Sequence, residues 1–201
     1  MSNENLFRKD TLKIIDTGTE TPVQIVASGP DSEYATILSE YIGIISGANE
    51  YVYIANPYLI PPESLLLALK SSALSGVDVR IIIPENSDSV LVKWAVRSYF
   101  ETLLDSGVKL YMYQPGFLHS KIILSDDLVC SIGTANLDIR SFEQNFEVNA
   151  LIYHRGTTQK LKTQFEYFME NSLQIDAKTF KERGRISRIK ENLARLIGPV
   201  M

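Results

Sequence analysis

The sequence has 201 residues, of which 45% are hydrophobic and 22% are charged, a composition typical of a globular domain with its own core. Its formal net charge of −4 and isoelectric point near 5.3 exclude a global positive field that would attract nucleic acid. No run reaches the roughly 20 apolar residues of a membrane span. The polar start, residues 1–21, lacks a signal-peptide core and is interpreted as a linker or arm.

The first half of the sequence alternates strand and helix patterns. The strand-like runs are rich in β-branched and aromatic residues, and the helical runs repeat apolar residues at helical spacing. The predicted strands cover residues 22–30, 51–57, 77–84 and 108–114, and the predicted helices cover residues 32–48, 61–76 and 87–107. This rhythm predicts helices layered on a sheet with several parallel strand pairs.

The second half changes to a hairpin pattern. Runs 119–125 and 128–134 flank Asp126 and Asp127, which favours two antiparallel strands joined by a turn. Three more elements follow: a strand at 145–153, a helix at 157–173 and a basic final helix at about 185–197. We therefore predict an α/β fold in which residues 22–201 form one layered α-β-α sandwich around a mixed, largely parallel sheet.

Polar residues are predicted to meet at one end of this hairpin. His119 and Lys121 are two residues apart, so on a strand they project from the same face. Thr134 and Asn136 follow the neighbouring strand just past Gly133, which lets the backbone approach a ligand closely. A lysine with neutral polar groups suits phosphate, and its ammonium would repel a metal ion. A histidine beside that phosphate can act as a nucleophile or as a general acid–base, which predicts phosphoryl chemistry without a metal.

The pattern H-x-K-x4-D-x6-G-T-x-N, which begins at His119 and ends at Asn136, resembles the HKD signature of the phospholipase D superfamily. The segments "YQPGFLHSK" and "GTANLDIRSFEQNFEVNALIY" narrow the resemblance to the C-terminal half of bacterial cardiolipin synthases, from about residue 22 to the end. Those enzymes carry two HKD motifs, and this sequence carries one. The resemblance implies an active site in which two motifs meet across a two-fold or pseudo-two-fold axis.

The resemblance also implies roles for individual residues. His119 would be one of two active-site imidazoles, either the nucleophile that forms a phosphohistidine or the acid that protonates the departing alcohol. Lys121, Thr134 and Asn136 would hold the phosphate oxygens. Glu147 would fix the tautomer of His119 through a hydrogen bond. No metal or other cofactor is implied.

Two features have competing interpretations. Asp126 belongs to the signature and counts as a candidate catalytic residue, but aspartate is common in turns for local reasons, which favours a structural role. In the C-terminal segment, residues 181–195 include six basic and two acidic residues among apolar residues at helical spacing. Such a helix usually packs on its own domain, and contact with an anionic membrane surface is the alternative.

The function that we favour is phosphatidyl transfer between two phosphatidylglycerol molecules, which yields cardiolipin and glycerol. The alternatives are another phosphodiesterase of the superfamily, such as a phospholipase or a homodimeric nuclease, and a catalytically silent half-domain. The expected partners are phosphatidylglycerol, the N-terminal half of the parent enzyme or a second copy, and an anionic membrane surface, with no nucleic acid. We expect the parent protein at the bacterial cell membrane, and the isolated chain soluble and inactive alone.

Overall fold

A computed structural model describes residues 21–87 and 89–197, which form a sheet with helices on both faces. The strands are β1 (Val23–Ser28), β2 (Tyr51–Ala55), β3 (Leu59–Ile60), β4 (Asp78–Pro84), β5 (Lys109–Tyr113), β6 (Ile122–Ser125), β7 (Val129–Gly133), β8 (Leu137–Asp138), β9 (Glu147–Ile152) and β10 (Ser172–Gln174). The helices are α1 (Thr36–Gly47), α2 (Glu63–Leu74), α3 (Val90–Arg97), α4 (Phe100–Asp105), α5 (Ile139–Glu143), α6 (Arg155–Glu170), α7 (Ala177–Lys181) and α8 (Arg185–Ile197). The predicted arm, residues 1–21, lies outside the described residues apart from Thr21.

The main sheet has the strand order β1-β9-β7-β6-β2-β4-β5-β10, and β3 pairs with β8 in a separate parallel ribbon. The predicted α/β fold with a mixed sheet is confirmed, but the prediction that the sheet is largely parallel is wrong. Within the main sheet only β2–β4 and β4–β5 are parallel, and the other pairs are antiparallel. Parallel neighbours need a crossover connection, which α2 supplies between β2 and β4, and α3 with α4 supply between β4 and β5.

Both faces of the sheet bury apolar side chains. On one face Val52 and Ile54 of β2 belong to a core that α1, α2 and α4 cover. On the other face Tyr53 stacks on Phe165 of α6, with ring centroids 4.8 Å apart. The whole of β2 is buried, which explains why its sequence is continuously apolar and aromatic. Cys130, the chain's single cysteine, is fully buried under α6.

The predicted helix over residues 87–107 is two helices, α3 and α4. Between them the Ser98 hydroxyl donates a hydrogen bond to the Ala95 carbonyl, and the N–H of Tyr99 bonds three residues back to Val96. A serine that bonds back to the preceding turn, together with this tighter turn, interrupts the α-helical ladder. Among the described helices, none is both long and apolar enough to cross a bilayer.

The predicted hairpin is confirmed, because β6 and β7 pair antiparallel around the turn at Asp126 and Asp127. Both aspartates have φ near 53°, in the left-handed region, and the N–H of Leu128 bonds to the carbonyl of Ser125. Aspartate tolerates this conformation better than most residues, since its short polar side chain can bond locally. The turn therefore fixes the register that carries the candidate site at the other end of the hairpin.

Candidate active site

His119 and Lys121 lie in an extended segment that leads into β6, not within the strand as predicted. The N–H of Gly133 nevertheless donates to the Lys121 carbonyl at 3.2 Å, which continues the β6–β7 pairing past the strand end. Leu118 is buried against the α6 side of the sheet and anchors the segment, while the His119 ring is exposed. The Lys121 Nζ atom lies 2.9 Å from His119 Nε2, so the predicted meeting of these two side chains is confirmed.

The charge state of this pair follows from its contacts. Burial lowers the pKa of Lys121, and the carboxylates of Glu147 and Asp138 partly raise it again. An ammonium that donates to Nε2 requires that nitrogen to be an acceptor, which leaves the imidazole proton on Nδ1.

The ring of Phe117 stacks on the imidazole, with centroids 5.4 Å apart. An anion that binds Lys121 competes with Nε2 for the ammonium and leaves the Nε2 lone pair available.

We predicted a hydrogen bond between Glu147 and His119, but Glu147 has other partners. Its carboxylate accepts hydrogen bonds from the Thr134 hydroxyl and from Asn145 Nδ2, the latter at 3.3 Å. The hydrogen-bond prediction is wrong because β7 lies between β6 and β9 in the sheet. Glu147 at the start of β9 therefore meets Thr134 at the end of β7, and it acts on Lys121 through charge.

Asn136 lines a cavity of about 270 Å³ beside the end of the sheet. The lining residues are Tyr58, Ile60, Val92, Asn136, Asp138, Arg140 and Asn145. The Asn136 Oδ1 atom is buried and has no hydrogen-bond partner among the described residues. Two of the lining residues connect this cavity to the His119–Lys121 pair. Asn145 donates a hydrogen bond to Glu147, and the carboxylate of Asp138 raises the pKa of Lys121. That Lys121 and Asn136 contact the same anion stays a prediction.

Asn56 fixes the loop that carries Asn136, and sequence reasoning missed it. Its buried side chain accepts the N–H of Leu137 at 3.2 Å and donates to the Ala135 carbonyl at 3.3 Å. The available signal was a polar residue directly after the wholly apolar β2. In that position an asparagine must find buried partners, and the loop of Asn136 supplies them.

Asp138 is the second residue that sequence reasoning missed. It caps α5 by accepting the N–H of Ser141 at 2.7 Å, and burial raises its pKa. The available signal was an aspartate directly before a helical run, because aspartate is a preferred N-cap residue. Asp138 thus combines a capping role with a carboxyl group that lines the cavity.

Asp126 stands apart from the other candidate residues. It lies beyond the opposite end of β6, and at about 3.3 Å per residue the seven steps along the chain from His119 span roughly 23 Å. Its carboxylate accepts the N–H groups of Asn49, Glu50 and Tyr51 at 2.7, 3.0 and 2.9 Å. Partial burial raises the pKa of Asp126, but these bonds outweigh it and hold the pKa below its usual value. The contacts match the structural role that the turn favoured.

The donor groups of the cluster suit an anion. Lys121 offers an ammonium and Asn136 an amide, both of which bind phosphate oxygens, whereas the single O–H of Thr134 already donates to Glu147. In residues 21–87 and 89–197, no three His, Cys, Asp or Glu side chains are grouped so that they could hold a metal ion. The arrangement can therefore bind a phosphate-like anion next to an imidazole nitrogen.

Gly133 is required for the close approach of β7 and β9. A Cβ atom at this position would overlap the Asn149 side chain and the Val148 carbonyl oxygen. We expect Gly133→Ala to lower the free energy of unfolding by about 2 kcal/mol or more, because the backbone of β9 would have to move. Urea unfolding measures this value. Gly47→Ala is the matched control, since a Cβ there meets nothing within 4 Å, and an equal loss in both variants would contradict the prediction.

Known proteins match most of this chain. Residues 41–169 match the family model described as "Cardiolipin synthase, PLD-like domain". A cardiolipin synthase of Geobacillus sp. is 46% identical over 179 residues, which are 89% of this chain and 36% of that protein. One of Oceanobacillus iheyensis is 44% identical over 196 residues, which are 98% of this chain and 41% of that protein. The chain thus spans about two fifths of the length of these relatives.

Solved structures share the fold. The phospholipase D family member Nuc from Salmonella typhimurium superposes with a TM-score of 0.66 at 19% identity, over 78% of this chain and 99% of that chain. A phosphatidylserine synthase from Haemophilus influenzae superposes with a TM-score of 0.72 at 13% identity, over 89% of this chain and 48% of that chain. At these identities the likeness shows the fold, which makes up nearly all of one protein and about half of the other.

Proposed function

Because the chain belongs to the family of cardiolipin synthase PLD-like domains, we propose that it supplies one of two His-x-Lys motifs to a site for phosphatidyl transfer. The reaction moves a phosphatidyl group from one phosphatidylglycerol to the glycerol hydroxyl of another and releases glycerol. The observation that carries the proposal is the 2.9 Å contact between His119 Nε2 and Lys121 Nζ, beside a cavity lined by Asn136.

The geometry supports a two-step transfer. In the first step a histidine nitrogen bonds to phosphorus and the phosphorus–oxygen bond to glycerol breaks, with the departing oxygen taking a proton from the second imidazole. In the second step that imidazole removes a proton from the incoming glycerol hydroxyl, whose oxygen displaces the histidine. Lys121 and Asn136 hold the non-bridging oxygens, where charge develops in the transition state. His119 fits either imidazole role.

The second motif comes from a partner that covers the surface around His119. Exposed apolar side chains lie on the strands and segments next to the site: Ile25, Phe117, Ile132, Phe146 and Val148. Ile25, Ile132 and Val148 share the sheet face that α6 covers elsewhere, so this part of the face lacks a helix. A patch of this kind marks an interaction site. The partner is the remaining part of a parent enzyme or a second copy of the chain.

A mixing experiment tests the reaction. The chain is combined with the part of the Geobacillus relative that lies outside the matched segment, in vesicles of phosphatidylglycerol, and the products are separated by mass spectrometry. We expect cardiolipin and glycerol in equal amounts. Phosphatidic acid in place of cardiolipin would identify a phospholipase and overturn the proposed transfer.

The pH dependence of that reaction tests the charge on Lys121. Activity requires the ammonium, so the rate falls as the pH rises through the pKa of Lys121, which burial has lowered. The Glu147 carboxylate raises this pKa, so Glu147→Gln is expected to move the alkaline limb of the rate profile to lower pH. Glu143→Gln, at an exposed position of α5, is the matched control. An alkaline limb that stays in place in Glu147→Gln would contradict the assignment.

A further inference from the structure

The final helix, α8, packs on the domain through its polar side. Glu191 and Ala194 are each 1% exposed, whereas the expected apolar residues are not the buried ones. The Glu191 carboxylate accepts hydrogen bonds from Arg97 at 3.2 Å and from Arg183 at 2.8 Å. An ion-pair network therefore holds α8 on the domain, as the sequence favoured, but through the side of the helix that carries Glu191.

The apolar residues of α8 form an exposed stripe. Ile186, Ile189, Leu193 and Leu196 are 72%, 58%, 58% and 78% exposed. At 3.6 residues per turn, this α8 stripe and the buried side of the helix point about 150° apart. Single exposed apolar residues are common on protein surfaces, but four large aliphatic side chains on one outward face form a patch. Such a patch indicates a surface that binds a partner or a membrane.

The charges beside the stripe identify the chemistry of that occupant. Arg185 and Lys190 flank the stripe on its two sides, Arg195 is exposed further round the helix, and the only acidic residue of α8 is the buried Glu191. The helix surface is thus basic on a chain with a net charge of −4. A second copy placed stripe to stripe would bring these like charges together, whereas an anionic lipid surface complements them.

The helix that carries the stripe packs against α3, and α3 also lines the cavity. Lys190 Nζ sits 5.1 Å from the Trp94 ring centroid, and the Arg195 guanidinium sits 4.5 Å from that of Tyr99, so α8 runs beside α3 in the same direction. The first turn of α3 carries the exposed Val90, and its Val92 lines the cavity. The helix α3 therefore lies between the α8 helix and the cavity of the candidate site.

We propose that the α8 stripe docks into the headgroup region of a bilayer that contains anionic phospholipid. The apolar side chains enter the boundary with the acyl chains, and the flanking basic residues contact the lipid phosphates. The helix lies in the plane of the surface and presents the cavity to lipid from that surface. The choice of phosphatidylglycerol as the lipid rests on the proposed function, whereas the docking itself rests on the exposed stripe and its charges.

Vesicle flotation tests the proposal. The whole chain is mixed with vesicles of phosphatidylcholine alone, or of phosphatidylcholine and phosphatidylglycerol in equal amounts. We expect at least about tenfold stronger binding to the anionic vesicles, weakened by salt, and at least about a tenfold loss in the double variant Ile189→Glu with Leu193→Glu. The control carries Leu74→Glu with Leu173→Glu, two leucines that are equally exposed elsewhere, and should bind within about twofold of the original chain.

The outcomes separate docking from catalysis. Equal binding to both vesicles, or equal losses in both double variants, overturns the proposal. A change of oligomeric state in Ile189→Glu with Leu193→Glu, measured by light scattering, with unchanged vesicle binding, assigns the stripe to a protein partner and also overturns it. Transfer is assayed separately on detergent-dispersed phosphatidylglycerol, with the part of the Geobacillus relative outside the matched segment added to supply the second motif. Transfer there without vesicle binding overturns only the docking, and stripe-dependent binding without transfer overturns only the proposed function.

Discussion

His119→Ala is expected to reduce cardiolipin formation by at least about 10³-fold in the chain paired with its partner motif. The variant removes either the atom that bonds to phosphorus or the acid that assists the leaving glycerol, and acid–base assistance alone typically contributes about 10²–10⁴ in rate. Lys121 would remain, so lipid phosphate can still bind. The expected result is therefore a loss in kcat with little change in vesicle binding, measured by product formation at saturating lipid.

His154→Ala is the matched control, because it removes the only other histidine. His154 caps the start of α6, where its Nδ1 accepts the N–H of Thr157 at 3.2 Å, and it is exposed. Its loss weakens a helix cap by about 1 kcal/mol, which leaves the site intact. If both variants lost the same fraction of activity, the assignment of His119 to the reaction would be wrong.

Separation of the chain from any second motif is expected to lower its transfer rate by roughly 10²–10⁴-fold relative to the paired form. One imidazole can bond to phosphorus, but the leaving oxygen then lacks a positioned acid, and the second lysine and asparagine are missing from the phosphate site. The rate is measured at increasing chain concentration, with and without the part of the Geobacillus relative outside the matched segment. If the chain pairs with itself, the rate rises with the square of the concentration.

Charge placed on the exposed sheet face provides the companion test. Ile132→Glu changes an exposed side chain that points away from the cluster, so the fold should persist while pairing fails. Leu74→Glu serves as the control on the opposite side of the domain. Rapid turnover by a chain that is monomeric at every concentration would show that a single motif is sufficient.

Local sequence patterns predicted the parts of the structure that depend on local rules. The hairpin follows from two β-rich runs around an Asp-Asp turn, and the contact of His119 with Lys121 follows from their two-residue spacing along extended backbone. The roles of these residues come from the resemblance to the family, because the spacing of residues alone does not predict them. Family membership is confirmed by the matching model, whereas the roles await the experiments above.

Tertiary contacts decided the features that the sequence did not predict. The partner of Glu147 depends on which strand lies next to β9, and that strand is β7 instead of the strand preceded by His119. The orientation of α8 follows from Glu191, whose two arginine partners come from other segments. Apolar periodicity alone predicts the opposite orientation, because it counts hydrophobic residues and not the ion pairs that compete with them.

The strand order of the sheet also has a consequence for how the chain folds as it is synthesised. Among the described strands, β1 pairs only with β9, and the ribosome makes β9 after every other described strand of the main sheet except β10. The nascent β1, with Val23 and Ile25, therefore has no strand to pair with while β2, β4 and β5 assemble. Such long-range pairing is slow, and the unpaired strand is the segment on which a chaperone or an aggregating neighbour acts first.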